Sequence, residues 1–171
     1  MVVRFSGAQW RPRSVNFNQG GNHPRLYIVH IAERFYEGTI SWFNNPNAQA
    51  SSHFVISKTG KIAQLVETND TAWHAGTAND HSIGVENAGF ATEALTQDQL
   101  DANARIYAWS MRQYDDISAW LNTNPSTGSG LSYHGLGVNI GWGHGACPGP
   151  RIIDQLPTIL KRAKIINASK D

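Results

Sequence analysis

The chain has one cysteine, Cys147, among its 171 residues. A lone thiol cannot close an internal disulfide, so the fold does not depend on cross-links or on an oxidising compartment. Excess charge is missing as well: 14 basic and 13 acidic residues leave a net +1 with histidine neutral. No strong field draws in nucleic acid or anionic lipid, and neither is expected as a partner. Nor is there a long apolar run. No stretch approaches the ~18 residues of a membrane span, and the opening MVVRFSGAQWRPRSVNF has no apolar leader core. No membrane anchor is expected, and synthesis is expected in the cytoplasm without a signal peptide. Internal repeats and low-complexity linkers are lacking, and a chain of this length suits one domain with a substantial core.

What is abundant is glycine and tryptophan, sixteen and six residues. That pairing suggests a loop-rich surface with exposed aromatics, as in sugar-binding clefts; tryptophans that merely fill the core are the competing reading. Residues 1–25, polar and broken by Pro and Gly, read as an irregular lead-in, and 26–168 as the folded domain. LYIVHIA (26–32) is a β-branched apolar run and predicts a buried strand. A short helix is expected within 39–49, ending near Asn45-Pro46. SHFVIS (52–57) and KIAQLV (61–66), joined by Lys-Thr-Gly, predict a hairpin, and HSIGVENA (81–88) another strand. Thr96 and Gln99 form a capping box that starts a helix running on through LDANARIYAWSMRQYDDISAW. SYH ends a further short strand, and RIIDQLPTILKRAKII is helical with an interruption or restart at Pro157. Loose alternation of strands and helices gives an α/β class with a mixed sheet.

Of the seven histidines (23, 30, 53, 74, 81, 134 and 144), His30 and His134 each end a predicted strand. Either alone reads as a satisfied core imidazole. Together with the loop thiol of Cys147 they have the composition of an open Zn²⁺ site, three protein ligands with water in the fourth position. Glu86 sits in an apolar strand, where a carboxyl is costly unless used or paired. Beside such a water it suits a general base for amide hydrolysis; a salt bridge or a solvent-facing position is the alternative. AWHAG (72–76) puts Trp73 and His74 at a small turn, either as a substrate wall or as a packed aromatic.

The ordered set IVHIA, SSHFVISKTGKIAQLV, AWHAG, NDHSIGVENAG and ACPGP resembles the zinc-dependent N-acetylmuramoyl-L-alanine amidases of type 2. That superfamily includes phage endolysins and peptidoglycan recognition proteins. The likeness runs from about residue 26 to 150. It implies a single α/β domain with a central mixed sheet flanked by helices and a zinc at the bottom of a groove. His30, His134 and Cys147 match the zinc ligands, Glu86 matches the catalytic acid, and Trp73, His74 and His53 fall in stretches beside the groove where substrate binds. Two positions depart from the pattern. SYHGLG replaces a Gly-His-Arg-Asp stretch, and Gly145 stands where many catalytic members carry lysine. His144 is the natural substitute for that lysine, as a donor to the oxyanion or to the leaving amine. It is also an alternative second zinc ligand, or a fourth ligand that closes a structural site.

The resemblance implies hydrolysis of the bond between N-acetylmuramic acid and L-alanine by a monomer acting on bacterial peptidoglycan. A phage endolysin, released to the wall of the infected host, is the expected setting. A cytoplasmic amidase that trims recycled muropeptides, and a recognition module that binds peptidoglycan without cutting it, are the alternatives.

Overall fold

A computed structural model describes residues 3–12 and 15–169. Its spine is a six-stranded mixed sheet in the order β1-β5-β4-β7-β3-β8. β3 (Leu26–Ile31), β4 (Phe54–Ile56), β7 (Ser82–Asn87) and β8 (Gly130–Tyr133) run parallel to one another. β5 (Ile62–Gln64) pairs antiparallel with β4 across the expected hairpin, and β1 (Gln9–Trp10) lies parallel to β5 at the edge. All six residues of β3 are buried, as a central parallel strand covered on both faces should be.

Alternation along the strands sorts their side chains by face. Tyr27, Val29 and Ile31 of β3, Ile83 and Val85 of β7 and Leu131 of β8 join one core with α2 (Gln97–Gln113) and α4 (Leu156–Ala168). Leu26 and Ile28 turn to the other face against Ala75, Ala78 and Trp142, while α1 (Tyr36–Phe43) packs Ile40 and Phe43 on Val55 and Ala63. A buried polar thread crosses the first core. Tyr27 Oη donates to Asn103 Oδ1 (3.1 Å), Asn103 Nδ2 to Asn87 Oδ1 (2.8 Å), and Asn87 Nδ2 to the carbonyl of His30 (3.1 Å). It ties α2 to the end of the strand that carries His30.

The capping box forms as expected: Thr96 Oγ1 accepts from the Gln99 amide and Gln99 Oε1 from the Thr96 amide, both at 3.1 Å. The helix stops sooner than the apolar pattern predicts, at Gln113. Asp115 and Asp116 would have extended it with two carboxylates at the negative end of its dipole. α4 begins at Leu156 with Pro157 in its first turn, after the short α3 (Pro150–Ile153), so the proline restarts the helix.

The lead-in over 1–25 is a correction. Among its described residues, Gln9–Trp10 add the edge strand β1, and β2 (Phe17–Gly21) pairs antiparallel with β6 (Asp70–Ala72) in a second small sheet. Residues 1, 2, 13 and 14 lie outside the described residues. Strands of two and five residues, the latter rich in Asn, Gln and Gly, carry no period-two apolar signal; backbone pairing, with side-chain hydrogen bonds of Asp70 and Thr71 to Gly20 in β2, makes them.

His53 is fully buried, and burial lowers its pKa from 6.5 to about 4. The unfolded chain therefore takes up a proton below pH 6.5 that the folded protein refuses until about 4. At 1.36 kcal/mol per unit this removes about 3 kcal/mol of stability across that window. In the metal-free protein the melting midpoint should fall more steeply from pH 7 to 4 than that of folded His53→Asn, and equal slopes would contradict this burial.

Candidate active site

Register positions the reactive groups. His30 pairs with Glu86 across β3 and β7, and Val29 with Tyr133 across β3 and β8, so His134 continues one step beyond, beside His30. His30, Glu86 and His134 thus leave three adjacent parallel strands at their carboxyl ends, on the face away from α2 and α4. The crevice beyond the carboxyl ends of parallel strands is where open α/β sheets place their ligands. The glycine-rich loop after His134 brings Cys147 to the same point. Gly135 N–H donates to the Cys147 carbonyl at 2.7 Å, and a Cβ on Gly135 would lie 2.4 Å from the Gly145 carbonyl oxygen. The residue after His134 must be glycine for the two segments to touch, which accounts for SYHGLG in this chain.

His30 Nδ1 stands 3.0 Å from His134 Nδ1 and 4.0 Å from Cys147 Sγ. The three ligand atoms lie within 4.8 Å of one another. His134 Nε2 is 2.7 Å from the Trp142 carbonyl, which can only accept, so the ring keeps its proton on Nε2 and presents a bare Nδ1. The Ile31 amide donates to Cys147 Sγ at 3.5 Å. Burial pushes the Cys147 thiol up to about 12, with Glu86 and Glu33 adding to it. Burial also lowers the pKa of His30 and His134, helped by their neighbouring imidazoles. Two neutral imidazoles and a thiol whose metal-binding atoms converge, on supports held by a sheet, fit the donor set of an open zinc site. His144 is not among the converging atoms. It is exposed, and its ring centroid is 5.3 Å from that of His134.

Glu86 Oε1 is 3.9 Å from His30 Nδ1, while Oε2 is buried with no hydrogen-bond partner. Burial pushes this carboxyl up to about 8. An unpartnered buried carboxylate oxygen beside a cluster of metal-type ligands is costly unless something binds there.

Above these groups lies a cleft of about 380 Å³, lined among others by Glu33, Arg34, Trp42, Trp73, Glu86 and His144. Of the six tryptophans only Trp142 is buried, and Trp42 and Trp73 form the aromatic part of the cleft. The Trp73 indole donates to Asn18 Oδ1 at 2.5 Å, so β2 holds this wall in place. Arg34 lays its guanidinium over Trp42, 4.9 Å from the ring centroid. Glu33 and His144, both lining the cleft, have positive φ of 52° and 43°, strain of the kind found at functional sites.

Two expected substrate contacts need revision. His53 does not line the cleft: Nδ1 accepts from the Gly84 amide and Nε2 donates to the Asp70 carbonyl, both at 3.0 Å, so the ring is spent on the fold. His74 borders the cleft floor but is only 9% exposed, with its nitrogens turned to His30 and Ser82. Arg34 and Trp42 were not anticipated. The signal that could have found Trp42 was the Trp of TISWF in the expected short helix.

Residues 20–150 match the sequence pattern of the N-acetylmuramoyl-L-alanine amidase family, Amidase_2. The chain belongs to this family. N-acetylmuramoyl-L-alanine amidase A of Achromobacter lyticus is 40% identical to it over 125 residues, 70% of this chain and 71% of that protein. The 1,6-anhydro-N-acetylmuramyl-L-alanine amidase AmpD of Escherichia coli is 35% identical over 78 residues, 41% of this chain and 43% of that one. The fold matches that of the Staphylococcus aureus hydrolase AmiA, solved with its ligand, at a TM-score of 0.71 and 16% identity, covering 97% of this chain and 88% of AmiA. This amidase has the mixed sheet and flanking helices that its motifs implied. No helix among the described residues is long and apolar enough to cross a membrane.

A thiol held at about 12 is almost wholly protonated at pH 8. In the metal-free protein Cys147 should therefore react with iodoacetamide more than about 100-fold slower than free cysteine at that pH. Equal rates would mean that the thiol is neither buried nor beside Glu86.

Proposed function

We propose that the chain is a zinc-dependent amidase that cuts the bond between the lactyl carbonyl of N-acetylmuramic acid and the amine of L-alanine in peptidoglycan. The observation that carries this reading is the convergence of His30 Nδ1, His134 Nδ1 and Cys147 Sγ within 4.8 Å beside the Glu86 carboxyl. Those three atoms would hold the zinc, with the side towards the cleft left open. When bound, zinc supplies an acidified water and a charge that polarises the scissile carbonyl. Glu86 takes a proton from the attacking water on a carboxylate oxygen and returns it to the departing amine. Burial, which raises this carboxyl to about 8, lets Glu86 keep the proton between the two transfers. His144 donates an N–H to the oxyanion from the cleft wall, in place of a lysine at position 145. Trp73 and Trp42 offer flat apolar surface to the sugar and peptide.

The enzyme acts as a monomer on wall peptidoglycan, as an endolysin does after release into the wall of a phage-infected host. The similarity to AmpD supports a second setting, the trimming of soluble anhydro-muropeptides in the cytoplasm. Digestion of purified sacculi and of soluble muropeptides, with and without chelator, separates the two. New N-terminal L-alanine without new reducing ends, abolished by chelator, is the expected product in either case. Release from sacculi supports the lytic role, and cleavage of soluble fragments alone supports recycling. Binding to sacculi without any new ends would overturn the enzymatic reading in favour of a recognition module.

Two variants test the residue roles. Glu86→Gln should keep stoichiometric zinc and lose at least about 100-fold in kcat; full activity would remove Glu86 from proton transfer. Cys147→Ala should lose zinc on dialysis, and an unchanged metal content would refute the ligand assignment.

A further inference from the structure

His74 has no part in the proton transfers above, yet it is buried against a proposed ligand. Its Nδ1 is 3.0 Å from His30 Nε2, and its Nε2 is 3.1 Å from Ser82 Oγ. Ser82 Oγ in turn is 2.5 Å from the Ala78 carbonyl oxygen. That last contact sets the direction of the whole chain. Two oxygens so close need a hydrogen between them, and only the serine has one to give.

The Ser82 hydroxyl proton is therefore committed to Ala78, and the serine must accept from His74. His74 Nε2 carries the proton of its ring and donates it to Ser82 Oγ. A neutral imidazole has one N–H, so His74 Nδ1 is left as a bare acceptor. His30 Nε2, facing it, must then carry the hydrogen of that ring. The consequence appears at the opposite edge of His30, where Nδ1 is left bare, 3.0 Å from the bare Nδ1 of His134.

We infer that His74, backed by Ser82 and the Ala78 carbonyl, is a positioning residue that holds His30 in the tautomer whose bare Nδ1 faces the metal. This rests on the zinc reading above and extends it to residues that do not touch the metal. The fold makes room for the device. Gly84, in β7 between Ser82 and Glu86, lies against the His74 ring, and a Cβ there would be 2.4 Å from His74 Cγ and 2.5 Å from Nδ1. On its far side the ring packs edge-on against His53, with centroids 5.7 Å apart. The His74 amide and the next one both donate to Asn79 Oδ1, at 2.9 and 2.7 Å, which holds the turn carrying the ring. Partners behind a ligating histidine fix its tautomer and orientation, and their loss typically costs ~10–100-fold in metal affinity.

The test has two readouts besides turnover. Long-range ¹H–¹⁵N spectra of the metal-free protein report directly which nitrogen of each imidazole is protonated. Competition with a chromophoric chelator gives zinc affinity. His30 should be protonated on Nε2 in the parent protein. His74→Leu, which removes the acceptor, should weaken zinc binding ~10–100-fold, and His74→Asn, which returns an acceptor, should recover part of the loss. Ser82→Ala is the milder variant in case the leucine protein does not fold. It should leave folding intact, mix the His30 tautomers and weaken zinc several-fold. A His30 ring protonated on Nδ1 in the parent overturns the inference, as does zinc affinity within twofold of the parent in folded His74→Leu or Ser82→Ala. If the parent binds no zinc, the metal reading fails instead, and the parent spectra still decide the tautomer.

Discussion

The structure depends on the register of β3 between its two parallel neighbours. A strand buried on both faces has no freedom to slide, because a slip of one residue would exchange its two sets of side chains. Tyr27, Val29 and Ile31 lock into the core beneath α2, and His30 is thereby turned to the opposite face beside Glu86. The same pairing, carried across to β8, delivers His134. Apolar packing on one side of the sheet thus sets the geometry of polar groups on the other. The Asn103–Asn87–His30 thread reinforces this by fastening the strand end to the helix behind it.

On the cleft side of the sheet, histidines replace aliphatic side chains. His53, His74, His30 and His134 form a row of near-dry rings, with successive centroids 5.7, 5.1 and 4.4 Å apart. Burial depresses the protonation of every one of them, so they meet as neutral dipoles and not as repelling cations. Within the row His74 and His30 share a hydrogen bond, and Ser82 on one side and the Trp142 carbonyl on the other determine which ring nitrogens are left bare. An ordered tautomer chain costs little when its ends are backbone atoms held by the fold.

The central architecture was legible because its signals are local and strong. An aliphatic run with β-branched residues, a hairpin link with glycine and a Thr-x-x-Gln cap each carry their own structural meaning, and His30, Glu86, His134 and Cys147 fell within recognisable motifs. The lead-in strands were not legible, since β1 and β2 draw their partners from residues about fifty positions away. His53 and His74 misled for another reason. Both lie in stretches that border the cleft, and sequence does not tell whether a histidine there turns its ring outward or spends its nitrogens on backbone and neighbouring side chains. Arg34 and Trp42 belong to the cleft only because α1 packs where it does.

The strand register also has a consequence for how this gene can vary. Length changes within β3, β7 or β8 would turn His30, Glu86 or His134 to the wrong face even where the core could repack, so insertions and deletions there extinguish the site. The tip of the connection that leads into β8, residues 123–127, is largely exposed and carries neither strand register nor a side chain of the site. Length changes that keep the site intact are therefore expected in connections of that kind, while the three strands can change only by substitution.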